Sequence, residues 1–274
     1  MHGALAAIPY RTFPVFHLGP IPIRTFGVFV ALGILVGVWC FLRYARRRGL
    51  DAAELGRFAT WVVLLGLLGS RLLFVVTRWG EFADDPLAVF AVWQGGLQFS
   101  GAVLIAVVVI WWYGRWHPEI GSLQLSDGVI YGLAPGVAIG RLGCIAVGEH
   151  LGTRTDLFLG WKYLGGPTRE PVDGGVGSVI HNTAIYELVL LLPLIGLLVW
   201  MERRRVEPGW LTVTFLLWYG VQRFLTDFLR AYDRTVWGLT GAQFVCLGMI
   251  AAGVIIAIRL VRRRTPALSE PAAA

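Results

Sequence analysis

The chain has 274 residues, 56% of them hydrophobic and only 15% charged, with a mean hydropathy of +0.66. A soluble domain carries about 25% charged residues, so this composition excludes an ordinary water-soluble fold and points to a polytopic membrane protein. The net charge of +7 comes from 24 basic residues, all arginine except Lys162; in loops these read as anchors for anionic headgroups of a lipid bilayer, and no nucleic-acid partner is expected.

Residues 1–23 hold Pro9, Pro14, Pro20 and Pro22 among apolar residues and read as an irregular arm in the membrane interface. A basic segment, an apolar core and a small-residue cleavage site do not follow one another here, so no cleavable signal is expected and the run from Phe26 reads as a first span. About 20 apolar residues cross the hydrocarbon core. Runs of that order at 24–44, 57–77, 98–116, 126–147, 182–201, 209–229 and 239–260 predict an all-α fold of seven transmembrane helices. Residues 1–264 read as one membrane domain. Within it, 149–181, rich in Gly and Pro and carrying Asp156, Lys162, Arg169, Glu170 and Asp173, reads as a small extracytoplasmic cap. Residues 265–274 read as a disordered cytoplasmic tail. Cys40, Cys144 and Cys246 lie in or beside apolar runs, which predicts reduced thiols. No pair of His or Cys has ligand spacing, so neither a metal nor another cofactor is expected.

Arginine in the middle of a span costs roughly 2.5–3.5 kcal/mol on insertion scales, so Arg71, Arg141 and Arg223 mark a polar interior. Asp127, Glu187 and Asp227 also fall in or near apolar runs. Arg223 and Asp227, four residues apart, share one helix face, where the plain reading is a self-neutralising pair, with Arg230 in the same role. Arg71 follows Gly66, Gly69 and Ser70, small residues that permit close helix approach. Arg141 lies between Gly140 and Gly143 and eight residues before Glu149. Its planar fork pairs bidentately with phosphate oxygens, and its glycine neighbours leave room for a headgroup. A second glycine-rich interruption, 93–101, opens the third span. Irregular backbone at that depth is tolerated where it is buried or lines a cavity, so Ser100 reads either as a substrate contact or as a helix N-cap. His181 reads either as a cap of the fifth span or as a site residue.

These motifs, in this order, resemble the prolipoprotein diacylglyceryl transferases, whose signature reads Gly-Arg-x-Gly-Asn-Phe-x-Asn-x-Glu-x-x-Gly. Gly140, Arg141, Gly143, Glu149 and Gly152 match it. Phe26–Gly27 resembles the family's Tyr-Gly, Gly69–Ser70–Arg71 its Gly-Gly-Arg, and 95–101 its Gly-Gly-x-x-Phe-His-Gly. Residues 181–187 resemble His-Pro-x-Gln-x-Tyr-Glu, 219–230 resemble Tyr-Gly-x-x-Arg-x-x-x-Glu-x-x-Arg, and 241–243 the last family motif. The chain departs from the pattern at Phe26 for tyrosine, Ser100 for histidine, Cys144 and Val147 for two asparagines, and Asn182 and Ala184 for Pro and Gln.

The resemblance implies a multi-pass enzyme of the bacterial inner membrane. It would move a diacylglyceryl group from phosphatidylglycerol to the lipobox cysteine of preprolipoprotein signal peptides. Arg141 and Arg223 would hold the phosphate and stabilise the departing glycerol phosphate. Glu149, His150 or His181 would supply base character where Ser100 replaces histidine. Arg71, Gly140, Gly143, Cys144, Phe26, Gly96, His181, Tyr219, Asp227 and Arg230 would line the substrates. A second reading is a paralogue that keeps the lipid site and binds or transports a phospholipid.

Orientation follows from the loops, since short cytoplasmic loops collect arginine. One set carries Arg43, Arg46, Arg47, Arg48, Arg57, Arg115, Arg203, Arg204, Arg205, Arg259, Arg262, Arg263 and Arg264, thirteen against eight on the opposite set with the N-terminal arm. The C-terminus is therefore expected in the cytoplasm and the N-terminal arm outside. Alkaline phosphatase fused after Arg264 should be inactive in cells, and periplasmic activity of that fusion would reverse the orientation.

Overall fold

The computed structural model describes residues 7–83, 85–90, 96–157, 160–168, 170–231 and 235–264. Asp84, residues 93–95 of the second glycine-rich interruption, Arg169, Arg234 and the 265–274 tail lie outside the described residues. Each of the seven apolar runs is a helix: α1 (Thr25–Arg47), α2 (Ala52–Thr77), α3 (Phe99–Trp116), α4 (Ser122–Val147), α5 (Thr183–Arg203), α6 (Trp210–Asp227) and α7 (Gly241–Arg264). Six are long and apolar enough to cross a membrane, and α6 falls short because Gln222, Arg223 and Asp227 interrupt its apolar run. Exposed Leu35, Trp61, Leu68, Leu104, Trp111 and Leu192 on these helices are the surface that lipid contact requires. Helix boundaries exceed the apolar runs where caps act: Asp51 accepts from the Ala53 and Glu54 backbone N–H groups at 2.8 and 3.2 Å, starting α2 early. Arg57, read as a loop residue, therefore lies inside α2.

The N-terminal arm is not irregular. It forms β1 (Ile8–Tyr10) and a hairpin of β2 (Val15–Leu18) with β3 (Ile21–Arg24). The 149–181 segment supplies β4 (Leu151–Arg154), β5 (Trp161–Tyr163) and most of β6 (Val179–Asn182). Proline removes a ladder donor but is accepted on edge strands, and β1, with Pro9, is the edge of a sheet ordered β1-β5-β6-β4. The fold is thus mostly helical with a small mixed sheet, rather than purely α. A last hairpin, β7 (Thr235–Val236) with β8 (Leu239–Thr240), precedes α7.

The chain divides into two compact units, Val38–Val129 and the remainder. In the unit of 38–129, Phe41, Ala45, Leu55, Phe58, Ala59 and Leu125 form the core. Helices α2 and α3 touch backbone to backbone, because a Cβ at Gly101 would collide with the Gly69 carbonyl. Arg71 here turns inward onto backbone: its Nε donates to the Val89 carbonyl at 2.8 Å, Nη2 to Ala88 at 2.6 Å and Nη1 to Gly96 at 3.1 Å. It thereby clamps the segment leading into α3.

In the other unit the sheet buries Tyr10, Leu151, Tyr163 and Ile180 against Ile145 near the end of α4. The Tyr10 hydroxyl donates to the Ile145 carbonyl at 2.6 Å and the Phe13 N–H to the Ala146 carbonyl at 2.8 Å, so the N-terminal strands brace the C-terminus of α4. The N-terminal half of α1 meets α4 through glycines: a Cβ at Gly33 would stand 2.6 Å from the Gly136 carbonyl oxygen, and one at Gly136 2.9 Å from that of Gly33. Small residues at such crossings replace the hydrophobic drive that lipid removes. Gly136→Leu should therefore lower stability by at least the roughly 1–3 kcal/mol of an overpacked core, read as a lower thermal midpoint in detergent; an unchanged midpoint would contradict the glycine contact.

Candidate active site

The end of α4 turns through a glycine cap. Gly148 is left-handed (φ +66°), its N–H points at the Ile145 carbonyl at 3.5 Å, and the Glu149 N–H donates to the Cys144 carbonyl at 3.0 Å. This Schellman arrangement closes the helix and folds Glu149 back beside Cys144. A side chain at Gly148 would strike Thr12 and Thr168. His150 is also left-handed (φ +67°), a conformation uncommon outside glycine. Its carbonyl accepts from the Thr183 hydroxyl at 2.5 Å, and its N–H donates to Glu170 Oε2 at 3.1 Å. One sulfur, one carboxylate oxygen and one ring nitrogen from Cys144, Glu149 and His150 lie within 4.8 Å of one another.

One turn back, Arg141 faces Glu187 of α5, which pairs with both Arg141 and Arg223. Glu187 has no solvent exposure and the two arginines retain 8% each. The Arg141 Nη2 also reaches the Tyr219 hydroxyl at 3.3 Å. The chain of charge continues along α6. Arg223 Nη2 lies 3.2 Å from Asp227 Oδ1, Asp227 Oδ1 lies 3.4 Å from Arg230 Nη1, and Arg230 Nη2 lies 3.4 Å from Glu170 Oε1. The other Asp227 oxygen accepts from the Thr240 hydroxyl. Three guanidinium groups thus alternate with three carboxylates, which lets formal charges persist in a water-poor interior.

Arg141, Arg223, Tyr219, Asp227, Arg230, Glu149, Cys144, Gly140, Gly143, Phe26 and His181 all belong to this unit, and the first five form one network. Gly143 makes room for α1, since a Cβ there would stand 3.0 Å from the Phe29 Cβ and 3.2 Å from the Phe26 ring. Gly140 has open space where a Cβ would be. His181 is not the cap of α5: Asn182 is, its side chain accepting from the Ile185 N–H at 3.3 Å. His181 instead faces the Tyr186 hydroxyl at 3.1 Å, and burial lowers its pKa, favouring a neutral ring. Arg71, Gly96 and Ser100 belong to the 38–129 unit; Ser100 is the second residue of α3, whose N-cap is Gln98. Glu187, Glu170 and Thr240 join the network although the motifs do not single them out as site residues. Glu187 carried a signal, a carboxylate five residues into an apolar helix, whereas Glu170 and Thr240 looked like any polar loop residue.

Comparison with known proteins places these features in a wider set. The family described as prolipoprotein diacylglyceryl transferase matches residues 14–259. A protein of Synechococcus elongatus named phosphatidylglycerol--prolipoprotein diacylglyceryl transferase is 32% identical over 263 residues, covering 93% of this chain and 90% of its own length. Proteins of the same name from Corynebacterium efficiens (32% identical, 98% of this chain, 87% of that protein) and Pseudoalteromonas atlantica (28%, 93% and 92%) are similar throughout.

Glu187→Gln leaves two buried guanidinium groups sharing an uncharged partner. Breaking a buried pair from one side costs about 3–5 kcal/mol, so thermal unfolding in detergent should show this variant far less stable than the parent. Parental stability would mean that Arg141 and Arg223 do not rely on Glu187.

Proposed function

We propose, on the premise that this chain belongs to the prolipoprotein diacylglyceryl transferase family, that it moves a diacylglyceryl group from phosphatidylglycerol to the lipobox cysteine thiol of a preprolipoprotein. The observation that carries this reading to particular residues is the Arg141–Glu187–Arg223 cluster, buried among apolar helices. Glu187 holds two guanidinium groups in fixed positions before any ligand arrives. A phosphodiester entering beside Gly140, where no side chain intrudes, meets preorganised cations whose interactions need no rearrangement as charge develops. The acceptor sulfur attacks the terminal glyceryl carbon, the bond from that carbon to the phosphate oxygen breaks, and the electron pair leaves with glycerol phosphate, stabilised by Arg141 and Arg223. The thiolate is the nucleophile, and guanidinium groups nearby raise its share. Glu149, folded back beside Cys144, accepts the thiol proton in this scheme.

The remaining residues take supporting parts. Tyr219 orients Arg141, while Asp227 and Arg230 hold Arg223 from the other side. Phe26 and Gly143 set the approach of α1 to the site. His181 acts with Tyr186. Within the 38–129 unit, Arg71 clamps the backbone at Gly96 and Ser100 sits in the first turn of α3. A groove of about 630 Å³ along α5 and α6, lined by Leu190, Val213, Trp218, Val221, Gln222 and Leu225, suits an acyl chain of the donor. The protein would lie in the bacterial cytoplasmic membrane with α6 joining the other six helices to make seven spans, its N-terminus and small sheet outside and its C-terminus in the cytoplasm.

A second reading, a phospholipid-binding or transporting paralogue, is favoured by Ser100 at a motif position where the family pattern has histidine. Purified protein with phosphatidylglycerol and a synthetic lipobox peptide separates the two. A mass gain of one diacylglyceryl unit on the peptide supports transfer, and lipid binding without it supports the paralogue. Arg141→Lys should cut turnover by about 10²-fold, the scale of losing a fixed donor at a transition state, because an ammonium cannot reproduce the fork. Near-parental turnover in folded protein would reduce Arg141 to an anchor.

A further inference from the structure

We infer that Gln222 reads the acyl ester of the lipid donor: its side-chain amide donates to an ester carbonyl of phosphatidylglycerol, whose chain lies in the groove along α5 and α6. The inference rests on the transferase reading for the identity of the lipid and on geometry for the amide and the groove.

Gln222 is 5% exposed on the wall of that groove, and its Nε2 is buried with no hydrogen-bond partner among the described residues. A neighbour decides which end of the amide goes unpartnered. An indole can only donate, and the Trp218 Nε1 reaches both the Leu190 carbonyl at 3.0 Å and Gln222 Oε1 at 3.1 Å. Turning the amide over would set two donors against each other, so Oε1 stays on the indole and the NH2 group stays turned away from it. A buried donor without an acceptor carries an uncompensated desolvation cost, which an arriving acceptor removes. The Thr214 hydroxyl, farther along the same wall, has no such need, since it donates to the Trp210 carbonyl at 2.9 Å.

The groove selects the kind of acceptor. Trp210 and Leu225, at its two ends along α6, are fifteen residues apart, about 22 Å at the helical rise, so a long hydrocarbon chain can lie along it. Leu190, Val221 and Leu225 are exposed, so such a chain enters from the surface that meets lipid. Gln222 stands near one end of this apolar run. The matching occupant is therefore a hydrocarbon chain with one acceptor and no donor at its head, which is the pattern of an acyl ester.

Continuity with the charged cluster assigns that chain to the donor rather than to a bystander lipid. Gln222 precedes Arg223 on α6, and Leu190 lies three residues after Glu187 on α5. The amide end of the groove is thus level with the Glu187–Arg223 pair. In phosphatidylglycerol the ester-bearing carbons adjoin the carbon that carries phosphate, so a phosphate held by Arg223 brings an ester to the depth of Gln222. Gln222 is then a binding residue that tells an ester-linked donor from an ether-linked one.

The test compares dioleoyl phosphatidylglycerol with its diether analogue, in which methylene groups replace both carbonyls while the attacked carbon is unchanged. With the full chain in detergent micelles, lipid affinity is read from the lipid-dependent thermal shift and transfer from the mass gain of a lipobox peptide. The parent protein should bind the diester about 3- to 10-fold more tightly than the diether, the scale of one neutral hydrogen bond, with KM differing alike. Gln222→Leu, close in volume, should weaken diester binding and raise its KM by that factor, so that the two lipids become equivalent. Size-exclusion profiles and lipid-free thermal midpoints check folding; should Gln222→Leu not fold, Gln222→Asn, whose amide falls one methylene short, should give the same result. Equal affinity for both lipids in the parent, or a preference that survives these variants, overturns the ester contact, while transfer to the peptide still upholds the transferase reading. A preference that Gln222→Leu abolishes, with no transfer to any lipobox peptide, sinks that reading and leaves the ester contact standing. A preference seen in binding while KM for phosphatidylglycerol is unmoved by Gln222→Leu overturns the donor assignment and gives the groove to a bystander lipid.

Discussion

Everything at the centre of this protein depends on one carboxylate shared by two guanidinium groups. Glu187 has no exposure to solvent, and Arg141 and Arg223 reach it from α4 and α6. None of the three could be held charged in an apolar interior alone, because desolvation of a single ion outweighs what packing returns. Placed together they tie three helices at one level. The outward continuation through Asp227, Arg230 and Glu170 links that level to the loop after β5.

The small sheet matters for a related reason. Helix C-termini leave carbonyls without partners, and α4 ends where the chain must turn sharply to present Glu149 and His150. The Gly148 cap satisfies part of that need. Phe13 and Tyr10 of the N-terminal segment satisfy more, donating to Ala146 and Ile145. An arm full of prolines therefore acts as a brace. Proline on an edge strand loses no ladder bond that the sheet required.

Arginine in an apolar helix does not have one meaning here. Arg141 and Arg223 meet carboxylates and share a network, whereas all three kinds of Arg71 nitrogen donate to the carbonyls of Ala88, Val89 and Gly96. The same guanidinium chemistry builds an ion-pair network in the first case and a backbone clamp in the second. Only the partner decides which.

The sequence alone determined the membrane class, the seven helices to within a few residues, and the placing of Arg141 and Arg223 inside helices. These follow from composition, apolar run length and the cost of charge in hydrocarbon, all local properties. Its motif order also identified the family. Tertiary structure alone decided the rest. The pairing of 8–10 with 161–163 joins residues 153 apart and leaves no periodic trace over so short a strand. Glu187 between two arginines, and Glu170 at the end of the charge chain, depend on contacts from distant segments, and a carboxylate at either position reads alike until its partners are placed. Cys144, Glu149 and His150 converge because a left-handed glycine and a left-handed histidine reverse the backbone within three residues, a conformation that residue identity permits but does not impose.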